Sequence, residues 1–92
     1  MQQLSPEKLR ELLREPLAEL EHDQWARWMR HLFGKSALNA DGSATIPAAS
    51  VERWMRQMNA AYEQLSEAEK ESDRAEADRV LQLLQNYQRQ NA

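Results

Sequence analysis

Apolar residues in the first third of the chain recur at Leu9, Leu12, Leu13, Leu17 and Leu20, the spacing of one helix face. A start signal precedes them. The Ser5 hydroxyl is placed to accept from an unpaired backbone N–H, Pro6 suits the first helical position, and Glu7 complements the positive helix end. Leu4 and Leu9 occupy the two positions of a hydrophobic staple. The periodicity crosses Pro16 with no glycine or turn cluster beside it. That predicts either a kinked continuous helix or two helices meeting near Glu15. From Pro16 to Phe33 a second apolar arc, Trp25, Trp28, Met29, Leu32 and Phe33, is centred near Trp25, with Asp23, Arg27 and Arg30 opposite. Gly34 is the expected stop.

Residues 34–46 hold both glycines of the chain and little periodicity. They predict one long loop, mobile or functional, turning tightly at Asp41-Gly42, with a short hairpin as the weaker alternative. A third helix starts at Pro47 or Ser50 and carries the stripe Val51, Trp54, Met55, Met58, Ala61, Tyr62 and Leu65. Ser66-Glu67-Ala68-Glu69 matches a capping box, so a further helix begins sharply at Ser66 and runs to about Tyr87, leaving residues 88–92 as a frayed tail. The predicted fold class is all-α. One domain over residues 1–92 forms a compact bundle of three to four helices with one long loop at about 34–46.

Composition narrows the chemistry. The 92 residues support one core, and zero cysteines remove disulfides, thiolate catalysis and cysteine-based zinc sites. A formal net charge of -3 argues against a dedicated nucleic-acid binder, whose footprint is basic. No apolar run spans a membrane and no signal peptide opens the chain, so the expected location is the cytoplasm. His22 and His31 are not in an i, i+4 pair, and Asp41-Gly42 lacks the repeated acids of a calcium loop, so neither a metal nor another cofactor is expected.

Some polar residues break the apolar pattern. The last helix carries the stripe Ala77, Val80, Leu81, Leu84 and Tyr87, and Asp73 falls on the same line. A carboxylate facing a core is costly unless paired. Arg74 points about a quarter-turn away and is not its natural partner. His22 falls on the Trp25 arc, so Asp73, His22 and the Trp25 indole are expected to form an internal polar network or to line a ligand pocket. Trp25 and Trp54, at the centres of their stripes, are expected to be buried. Trp28, near the edge of its arc, is the best candidate for an exposed aromatic at an interface, with Arg27, Arg53 and Arg56 as charged companions. The run Glu67 to Arg74 reads as a solvated helix start, with Glu67–Glu71 repulsion offset by Lys70 and Arg74.

His22-x-x-Trp25-x-x-Trp28, Arg53-Trp54 and Tyr62-x-x-Leu65-x-x-x-Glu69-Lys70-x-x-Asp73-Arg74-x-x-Ala77 together resemble a group of small proteins common in bacteriophages and prophages. The second half is also similar to the closing helix of the ryanodine-receptor repeat domain. The resemblance covers about residues 20–85. It implies a compact helical module with a role in binding ligands or partners, in a bacterial host cell. The chain departs from the repeat domain where Gly34 to Ile46 replaces a G-W-x-Y-G stretch.

With no catalytic constellation, the expected function is non-enzymatic: a small protein–protein interaction module, a phage or prophage accessory protein that binds a host or phage protein. The alternative is a small-ligand module, for a nucleotide-like compound, built around His22, Trp25, Asp73 and Arg74. DNA binding through converging arginines is a third reading. A core shared among four amphipathic stripes at this length also leaves an uncovered apolar edge, which a homodimer could close.

Overall fold

The structure, a computed structural model, describes residues 4–90. Helix α1 spans Pro6–Lys35; strands β1 (Ala37–Leu38) and β2 (Ala44–Thr45) form a hairpin; α2 spans Ala48–Asn59; a single 3-10 turn covers Tyr62–Gln64; and α3 spans Glu67–Gln90. The fold class is the all-α one read from the sequence, with three helices.

Local chemistry sets the helix ends where the sequence places them. Ser5 Oγ accepts from the Lys8 N–H at 3.2 Å, and Pro6 opens α1. At Ser66 the capping box is complete: the Glu69 N–H donates to Ser66 Oγ at 3.2 Å, and the Ser66 N–H donates to Glu69 Oε1 at 2.9 Å. Three boundaries differ from expectation. Helix α2 stops at Asn59, although its apolar stripe predicts a helix through Leu65, and Tyr62–Gln64 form a separate 3-10 turn. Helix α1 passes Gly34 and stops one residue later, where the Ser36 hydroxyl donates to the Leu32 carbonyl at 2.7 Å. Helix α3 continues through residues 88–90, where a frayed tail was expected; residues 91–92 lie outside the described span.

Pro16 does not divide the first segment. It lacks the N–H that would bond the Leu12 carbonyl, yet α1 is one helix of 30 residues. Leu13 and Leu20 on either side, together with Pro16 itself, line a common groove with residues of α3, so both flanks of the proline face the same partner helix.

The long connection is an ordered hairpin. Its register pairs Ala37 with Thr45 and Leu38 with Ala44. Asp41 Oδ1 accepts from both the N–H and the hydroxyl of Ser43, at 2.9 and 2.6 Å, and Gly42 adopts φ +90° at the tip. Asn39 Nδ2 ties the two sides by donating to Ser43 Oγ at 2.9 Å and Thr45 Oγ1 at 3.0 Å.

Helices α1 and α3 pair antiparallel. The Leu13–Leu20 stretch of α1 meets Leu83 and Tyr87 of α3, and Arg27 forms an ion pair with Glu76. The seam on α3 repeats by fours and threes: Glu69, Asp73, Glu76, Val80, Leu83, Tyr87 and Gln90. On α1 it runs Leu13, Leu17, Leu20, Gln24, Arg27 and His31. The seam is therefore apolar at one end and charged or polar at the other. The molecule measures 53 × 34 × 20 Å, and among the described residues only Leu13 and Ser50 are buried, neither completely.

Candidate functional site

The junction of the three helices carries a cluster of rings. Trp28 and His31, one turn apart on α1, have centroids 5.4 Å apart. Trp54 of α2 meets the Trp28 ring edge-on at 5.3 Å and lies 6.1 Å from the His31 ring. Trp28, Trp54, Gln57, Met58, Leu65 and Asp73 line a shallow hollow of about 280 Å³ beside it. Trp28 is 44% exposed and Met58 73% exposed, so the hollow presents apolar surface with one carboxylate at its edge.

The cluster is held by charge pairs between helices. Arg56 of α2 grips Glu69 of α3 with both terminal nitrogens, the closer contact being 2.7 Å. That hydrogen bond, helped by the Ser66 N–H, holds the Glu69 carboxyl down at a pKa of about 2, against an ordinary 4.5. On the opposite side of the seam Arg27 binds Glu76. Farther along α3, Arg74 reaches Glu71 at 3.1 Å and Glu67 at 3.2 Å, and Lys70 stands 3.7 Å from Glu67 and over the Tyr62 ring. The expected offset of the acidic helix start is therefore present in these pairs, and Arg74 is committed to them.

Several candidate residues sit elsewhere than expected. His22, Trp25 and Asp73 do not form one network. His22 touches Trp25, with ring centroids 6.0 Å apart, but both are exposed, Trp25 at 59%. From the Arg27–Glu76 contact, His22 lies roughly 7.5 Å one way along the pair and Asp73 roughly 4.5 Å the other way, at 1.5 Å rise per residue. Asp73 is on the seam, as its spacing indicates, but where the hollow opens it to solvent. This removes the desolvation cost that made it anomalous.

Trp25 is outside the core because α1 has two apolar faces and only one meets α3. Taking Leu13 as the origin at about 100° per residue, Leu20, Arg27 and His31 lie within about 40° of it, while Trp25 lies about 120° away. Trp54 is half-buried rather than sealed.

Of the interface candidates, Trp28 is exposed as expected. Arg53 is exposed and makes no ion pair among the described residues, whereas Arg27 and Arg56 are engaged by Glu76 and Glu69. The His31 ring, Met58 and the Arg56–Glu69 pair were not singled out in the sequence. The i, i+3 spacing of Trp28 and His31 was their available signal.

Among the described residues there is no group of three metal-ligating side chains, and no helix is long and apolar enough to cross a membrane. No protein-family model matches the chain, and no curated protein or solved structure is similar to it.

Proposed function

We propose that this chain is a protein–protein interaction module that receives its partner at the Trp28–His31–Trp54 junction. The observation that carries the reading is a half-exposed tryptophan held in place by a second tryptophan beside an apolar hollow. Tryptophan is the residue most enriched where binding energy concentrates, and a ring already fixed by its neighbours loses little entropy on contact. Met58 supplies an adaptable wall, and Asp73 supplies a point charge. The complementary partner offers an aromatic or aliphatic anchor flanked by a lysine or arginine. The sequence resemblance to phage and prophage proteins supports a bacterial or phage protein in that role. Arg27 and Arg56, neutralised by carboxylates, are withdrawn from a DNA-binding reading.

Affinity capture from a bacterial lysate with wild-type and Trp28→Ala baits tests the proposal. The expected result is a protein retained by the wild type and weakened about 30-fold or more by Trp28→Ala, the effect of losing a hot-spot side chain. A retained protein indifferent to Trp28→Ala, with the helical circular dichroism of both baits unchanged, contradicts it.

A further inference from the structure

The chain exposes more surface than a folded protein of its mass should. Its accessible area is 7685 Å², whereas a compact 10.8 kDa monomer exposes about 5,500 Å². The radius of gyration is 17.9 Å, against about 12 Å for a compact domain of this length. The surplus of about 2,100 Å² per chain lies within the roughly 1,000–2,500 Å² that each partner of an obligate homodimer buries.

Part of this surplus lies on one face of the α1–α3 pair, where Trp25 and Leu81 are both exposed. In an antiparallel helix pair, rotation in the same sense about each helix carries residues to the same broad face. Trp25 on α1, and Ala77, Leu81 and Leu84 on α3, are displaced in that same sense from the seam. Leu81 is 52% exposed, so the α3 side of this face presents open apolar surface beside the Trp25 ring of α1. Helix α2 meets α1 at Trp28, leaving the stretch from Arg10 to Trp25 of that face free.

We propose that a second copy of this chain covers this face, with the two α1 helices antiparallel about a twofold axis near Leu17 and Ala18. The charges along α1 select that occupant. Arg10, Arg14, Glu21 and Trp25 share the face, all four are exposed, and none of the three charged residues has an ion pair among the described residues. With the axis near Leu17 and Ala18, Arg14 of each copy meets Glu21 of the other. Arg10 in turn meets the exposed face of Trp25 as a cation over a ring. A twofold contact pairs residue i with j and j with i, and these positions are self-complementary in that way. The result is a four-helix arrangement with both tryptophan junctions left at its ends, so the proposal stands apart from the reading of that junction.

Sedimentation equilibrium on the wild type, Glu21→Arg, Arg14→Glu and the double exchange tests it, with circular dichroism reporting the fold of each. The wild type is expected to be dimeric at micromolar concentration. Each single reversal weakens the dimer about tenfold or more by setting like charges opposite each other, and the double exchange restores it. A monomeric wild type, single variants that dimerise normally, or a double exchange that fails to recover would each overturn the proposal. A monomer that is covered only by a different protein would assign the face to that protein and overturn it equally.

Discussion

Replacing Leu13 with alanine tests the seam at the one apolar residue that is buried among the described residues, at 7% exposure. Removing a buried leucine side chain forfeits about 2–3 kcal/mol of transfer free energy. A cavity term usually adds to this, taking such substitutions to about 2–5 kcal/mol. Here Leu13 borders an open groove of about 470 Å³ with Leu20, Leu83 and Tyr87, so the space it vacates joins solvent-accessible volume and the cavity term is small. The expected loss is therefore about 2–3 kcal/mol, or roughly 10–20 °C in Tm for a chain of this size. Thermal and urea unfolding followed by circular dichroism at fixed chain concentration measures it. Leu38→Ala, at a side chain 74% exposed in β1, is the control and is expected to stay within about 0.5 kcal/mol. A Leu13→Ala protein that melts with the Leu38→Ala protein would refute the seam as the seat of stability.

Other expectations follow from the caps, the hairpin and the charge pairs. Gly42→Ala places a side chain at φ +90° with nothing within 4 Å of the new Cβ; the backbone alone costs about 1 kcal/mol, lowering Tm. Gly34→Ala, in helical backbone with equally open surroundings, raises stability by about 0.5 kcal/mol in the same melt. A rise for Gly42→Ala would contradict the first assignment, and a fall for Gly34→Ala would contradict the second. Glu69, with its carboxyl lowered to about 2 in the fold from an ordinary 4.5, stabilises the folded state fully above the unfolded value. That contribution disappears as pH falls through the folded one, so Glu69→Gln should flatten acid unfolding over this window in a pH series of urea midpoints. Ser66→Ala removes the hydroxyl that caps α3 and should cost about 1 kcal/mol in urea unfolding.

What could be read in advance divides along physical lines. Caps and turns are local, so Ser5, the Ser66–Glu69 box and the Asp41-Gly42 tip sit where their chemistry places them. Periodicity is also local, and it put Asp73 correctly on the seam line. It cannot choose between two apolar faces of one helix. Leu13–Leu20 and the Trp25 arc are both competent stripes, and the choice depends on α3, through Arg27 meeting Glu76 and the leucines meeting Leu83 and Tyr87. The ion pairs of Arg27 and Arg56 were beyond local reading for the same reason, because their carboxylates lie 49 and 13 residues away. The burial expected for Trp25 assumed that every stripe of the chain finds cover within it. The surplus surface is where that assumption breaks.

The absence of cysteine makes a direct measurement of the twofold contact simple. Ala18→Cys sets a thiol beside the proposed axis, where the twofold contact would bring two copies of residue 18 together, while Leu38→Cys sets one on the distant hairpin. Under mild oxidation, the Ala18→Cys protein should convert efficiently to a covalent dimer and the Leu38→Cys protein should stay single. A failure of Ala18→Cys to cross-link, or equal cross-linking at both sites, would contradict the account.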